Sequence, residues 1–162
     1  MPELSLEQKV DQLLAIEAIK QLKYLYCRYC DTGYDADGVA GLFVEDGVWD
    51  GGEMLGRFAG RETIREAFAG FSKQIPFAAH MVMNPIITVE GDRAQGRWWL
   101  IEPLAANKRD GAVEGRWLVA EYEDEYVRRD GEWKFRTVRI VAKFYAPHVE
   151  DWAKRLTAAT PA

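Results

Sequence analysis

Helical periodicity fills the first half of this chain and strand periodicity the second, with the change falling at Pro76. That order most constrains the fold. Residues 15–34 read AIEAIKQLKYLYCRYCDTGY, in which Ala15, Ala18, Leu22, Leu25, Tyr26 and Tyr29 recur at helical steps. Glu17, Lys20, Gln21, Lys23 and Arg28 take the opposite side, and Gly33 supplies a stop just past the end. Asp31 is thereby placed in the last turn, where the helix macrodipole disfavours a negative charge by roughly 0.3–1 kcal/mol. On spacing alone Asp31 reads as a surface turn residue.

Residues 1–14 begin or lead into this helix, with Val10, Leu13 and Leu14 as early apolar positions. A short second helix is expected over 34–43, N-capped by Asp35 or Asp37. Glu45-Asp46-Gly47 reads as a turn, Val48-Trp49 as a brief strand, and residues 54–58 as its hairpin partner. A third helix over 62–73 carries Ile64, Ala67, Phe68 and Phe71 on one stripe.

Beyond Pro76, strands are expected over 79–90, 93–102, 113–127 and 133–145, with Arg129-Asp130-Gly131 as a hairpin signal. Residues 149–156 read as a short amphipathic tail. Helices followed by hairpin-linked strands imply an α+β fold, with a strongly curved antiparallel sheet wrapped around the N-terminal helices. A sheet curved in this way forms a cone whose open mouth is a natural pocket.

With 162 residues, 48% of them hydrophobic, the chain fits one domain with a substantial core. Six Trp, seven Tyr and seven Phe suit both a core and a pocket for flat apolar ligands. A net charge of −5 without a basic run argues against nucleic acid or an anionic membrane surface. No apolar run approaches the ~20 residues of a membrane span, and the charged N-terminus lacks a signal-peptide core. A cytoplasmic location is the default expectation. Cys27 and Cys30 form a C-x-x-C pair at the wrong helix end for a low-pKa redox thiol. They read as packed thiols, because the chain offers no other Cys and no paired His for zinc. No metal site is expected, since two isolated His and scattered carboxylates give no ligand spacing, and no cofactor is expected, with nothing that resembles a phosphate-cradling loop.

IEAIKQLKYLYCRYCD (16–31), AHMVMNP (79–85), DEYVRRDGEWKF (124–135) and VRI (138–140), in this order, resemble the SnoaL-like, cystatin-type cone family. That fold is shared with nuclear transport factor 2 and scytalone dehydratase. The pattern is similar to bile-acid 7α-dehydratase and, more distantly, to hexachlorocyclohexane dehydrochlorinase. The resemblance implies a single domain over residues 1–162, with its core at about 10–147 and a tail at 148–162. It matches a catalytic Asp–His pair onto Asp31 and His80, and further catalytic residues onto Tyr26 and Arg139. It matches a pocket aromatic onto Trp49. Trp98, Trp117, Met81 and Phe144 are further candidates for substrate binding, while His148 is expected at the surface. Two elements of those relatives lack a counterpart: a second Tyr on the early strand and a second catalytic His.

The resemblance implies a cofactor-independent lyase, a dehydratase of a hydrophobic, steroid-like or polycyclic carbonyl compound, assembled as a homotrimer. An isomerase or polyketide cyclase on the same site, or a non-catalytic binding module, are the alternatives. The chemistry would be general acid–base catalysis: a carboxylate fixes the tautomer of an imidazole, whose other nitrogen removes a proton.

Overall fold

The computed structural model describes residues 4–149. The first helix, α1, runs Leu6–Asp31 and starts on a capping box in which Ser5 and Gln8 satisfy each other's backbone N–H. Its buried stripe is Ala15, Ile19, Leu22, Lys23, Tyr26, Cys27 and Cys30. This differs from the expected face: Lys23 is fully buried, while Leu25 is exposed. The stripe is helical in spacing, but a lysine and two cysteines occupy positions that periodicity assigns to other roles. The first turns, residues 5–14, stand exposed.

Helix α2, Ala36–Gly41, is capped by the Asp35 carboxylate. Strand β1 spans Phe43–Asp50, so the expected turn at Glu45-Asp46-Gly47 lies inside a strand, at an irregularity in its pairing. A single helical turn, α3 (Gly52–Leu55), precedes β2 (Arg57–Ala59), which pairs antiparallel with β1. Helix α4, Arg61–Gln74, buries Ile64 and Phe68. Four strands follow β3 (Phe77–Ala78): β4 (Met81–Glu90), β5 (Arg93–Asn107), β6 (Val113–Arg129) and β7 (Glu132–Pro147).

The sheet runs β2-β1-β7-β6-β5-β3, with β4 also paired to β5. It is mixed rather than wholly antiparallel, because β1 joins β7 in parallel. The chain reaches that edge through α1 and α2, so no hairpin forces an antiparallel join there. Along β6 the even positions Leu118, Ala120, Tyr122, Asp124 and Tyr126 are buried inside the curve, and the odd positions face outward. On β7, Val138 and Ile140 face inward with them.

A bulge at the register shift opposite Val119 and Ala120 then reverses the alternation. Phe144 pairs with outward Val119, and Tyr145 pairs with inward Leu118. The tail expected at 149–156 lies outside the described residues beyond Val149. His148 is exposed and accepts a hydrogen bond from Trp117 Nε1–H at 2.8 Å.

Candidate active site

Thr32 caps α1, and Gly33 adopts φ 84, so the helix stops where the sequence places its stop. Asp31 is the last helical residue. Its Oδ1 accepts the backbone N–H of His80 at 2.9 Å and the His80 ring at Nδ1, 2.7 Å away. These bonds offset the unfavourable dipole at that helix end. They also fix the proton of neutral His80 on Nδ1, since a carboxylate only accepts. Nε2 is therefore the free basic nitrogen. His80 sits just before β4, its side chain 6% exposed.

The His80 ring lines a cavity of about 50 Å³. Its walls are mainly apolar: Trp49, Phe68, Phe71, Leu104, Leu118 and Ile140. Tyr26, Tyr34, Tyr145 and Glu102 add the polar groups. Tyr26 Oη accepts Trp49 Nε1–H at 2.9 Å. Burial pushes the Tyr26 hydroxyl far above its ordinary range.

Glu102 is the feature that sequence reasoning missed, since it reads there as a strand end. Its side chain points inward from β5, and its Oε1 lies 3.6 Å from His80 Nε2. The Tyr34 hydroxyl donates to the same oxygen at 3.4 Å. Burial raises the Glu102 pKa, with His80 and Tyr34 opposing. Inward parity on β5, alternating with Trp98, Leu100 and Leu104, was the signal available for it.

The cavity thus gathers Tyr26, His80 and Trp49, with Asp31 behind His80. It does not gather the other candidates. Arg139 lies between inward Val138 and Ile140, so its side chain faces outward, 57% exposed and paired with Glu123 at 3.2 Å. Trp98 faces inward but deeper in the core, donating from Nε1 to Tyr126 Oη at 3.0 Å. Trp117 is outward on β6 against His148, and Met81 is 45% exposed on β4. Phe144 is turned outward by the bulge, and Tyr145 takes its expected place.

Cys27 and Cys30 are free buried thiols, and burial pushes Cys27 up to about 12 and Cys30 well above its ordinary value. Among the described residues no group of three His, Cys, Asp or Glu side chains is arranged to hold a metal ion. No described helix is long and apolar enough to cross a membrane.

Residues 11–139 match the family model of the SnoaL-like domain. The chain belongs to this SnoaL-like family. No curated protein sequence matches it significantly. The SnoaL-like chain is similar in structure to a hexachlorocyclohexane dehydrochlorinase of type 2, with a TM-score of 0.78 and 20% identity over 95% of this chain and 99% of that one. A Novosphingobium aromaticivorans protein assigned as a scytalone dehydratase gives a TM-score of 0.78 and 20% identity, covering 93% of this chain and 97% of that one. A Mycobacterium tuberculosis protein of unknown function is 26% identical, with a TM-score of 0.66 and coverage of 82% of this chain and 73% of that one. At these identities the dehydrochlorinase and dehydratase likenesses establish the fold.

Proposed function

We propose that this SnoaL-like protein is a cofactor-independent lyase that removes water from a hydrophobic carbonyl compound. The observation that carries the reading is the His80 ring, held at Nδ1 by Asp31 and open at Nε2 to an apolar cavity. Similarity to proteins named for a dehydratase and a dehydrochlorinase points the same way.

In this reading Nε2 takes the acidic proton next to the carbonyl, and the Asp31 carboxylate stabilises the imidazolium that forms. The Tyr26 hydroxyl polarises the carbonyl oxygen. The wall of Trp49, Phe68 and Phe71 excludes water and holds the substrate's ring. The narrow interior takes the reacting end of the substrate, and a larger polycyclic skeleton extends through the mouth.

The test is incubation with a panel of hydrophobic β-hydroxy ketones, with products read by mass spectrometry. Wild type loses water from at least one of them, and His80→Ala loses about 10²–10⁴-fold in rate. A double-bond shift without loss of water assigns an isomerase instead. Ketone binding with no turnover assigns a binding module.

We also propose a homo-oligomer formed through the outer sheet face. Met81, Ile101, Val119 and Phe144 lie opposite one another across β4, β5, β6 and β7, which makes one outward apolar row. Sedimentation of Val119→Arg against wild type tests it. Wild type sediments as an oligomer, a trimer by family resemblance, and the variant as a monomer. A monomeric wild type contradicts the proposal.

A further inference from the structure

The end of α1 and the turn after it bring two side chains to one imidazole. Asp31 reaches Nδ1, and three residues later Tyr34 turns inward on a left-handed backbone with φ 55. For an aromatic residue that conformation costs roughly 1–2 kcal/mol. Such strain persists only where the surroundings hold it, and it clusters at functional sites. Here it sets the Tyr34 ring 6.2 Å from the His80 ring and the hydroxyl on Glu102 Oε1. The same oxygen lies 3.6 Å from Nε2.

At 3.6 Å Glu102 Oε1 stands beside His80 Nε2 without a hydrogen bond to it, in a largely apolar chamber. A charged Glu102 is costly there, because the carboxylate would lose its hydration with only Tyr34 and His80 to replace it, and the nearby Asp31 carboxylate adds to that cost.

We infer that Glu102 is the catalytic acid of this site, protonating the leaving group, and that the site is built for substrates that lose hydroxide rather than halide. The inference rests on His80 being the base. Proton transfer to Nε2 breaks the substrate C–H bond, and its electron pair forms the carbon–carbon double bond. The C–O bond then breaks, its pair stays on oxygen, and the Glu102 proton completes the departing water. An imidazolium and a carboxylate remain, and the proton passes from Nε2 to Oε1, which restores both groups without an outside donor. A halide leaves as a stable anion and needs no such proton. Tyr26 is less suited to the role, since burial binds its hydroxyl proton far more tightly.

The test pairs a spectrum with two substrates. The infrared difference between wild type and Glu102→Gln at neutral pH should contain the carbonyl stretch of a protonated carboxyl; an ionised-carboxylate signature overturns the inference. With a β-hydroxy phenyl ketone and its β-chloro analogue, Glu102→Gln should slow water loss by about 10²–10⁴-fold more than it slows chloride loss. It should also keep deuterium exchange next to the carbonyl in heavy water. Equal effects on both substrates, or none, overturn it. If wild type acts on neither ketone and exchanges no deuterium, the assignment of His80 as base fails, and the infrared band alone still decides whether Glu102 is an acid.

Discussion

Asp31 and His80 are 49 residues apart, yet one carboxylate oxygen of Asp31 accepts both the backbone N–H and the ring of His80. The double contact fixes the ring's tautomer and its position together. Asp31→Asn can offer an N–H to Nδ1, which would move the ring proton to Nε2 and block the base. Turnover is expected to fall by about 10²–10⁴-fold with KM little changed. Steady-state kinetics on the ketone that wild type dehydrates check this.

Arg139 tests geometry against resemblance. It faces solvent and pairs with Glu123 on the outer surface. Arg139→Ala is expected to leave kcat/KM unchanged and to cost about 0–1 kcal/mol of stability. A hundredfold loss of kcat/KM would restore Arg139 to the site.

Lys23 and Asp124 form an ion pair at 2.9 Å with both side chains fully buried. Lys23 Nζ also lies 3.1 Å from the Tyr122 ring centroid. Lys23→Met leaves Asp124 buried without its partner and is expected to cost about 3–5 kcal/mol. Replacing both, as Lys23→Met with Asp124→Leu, is expected to recover most of that loss. Urea denaturation of the two variants measures the difference.

Glu102 gives stability a pH dependence of definite sign. Burial raises its folded pKa above the unfolded value of about 4.3. The folded state then binds more protons than the unfolded one between those values. The Glu102 contribution is fully present below the unfolded pKa and is lost as pH rises through the folded one. Glu102→Gln should remove this component, so its stability should fall less steeply with rising pH than that of wild type in denaturant titrations. Tyr34→Phe removes a hydrogen bond that opposes the shift, so it should move the decline to higher pH.

The helices, the hairpin-linked strands and the stop after Asp31 were legible because each rests on local spacing. What local spacing cannot carry is partnership. On sequence grounds only resemblance linked Asp31 to His80, and nothing in the sequence linked Glu102 to either. Simple alternation along β7 misplaces Phe144 because one bulged residue turns Tyr145 inward instead. Lys23 was hidden for a different reason: its buried partner, Asp124, lies on a strand remote in sequence. The parallel joining of β1 to β7 is a property of chain path, and strand pattern does not encode it.

Proton abstraction by His80 is the central claim, and it can be measured without a leaving group. A hydrophobic phenyl ketone with no β-substituent is incubated in heavy water, and deuterium incorporation next to its carbonyl is followed by proton NMR. Wild type is expected to catalyse the exchange, and His80→Ala to fall to the uncatalysed rate with its circular dichroism spectrum unchanged. Exchange at the wild-type rate in a folded His80→Ala variant would contradict the account.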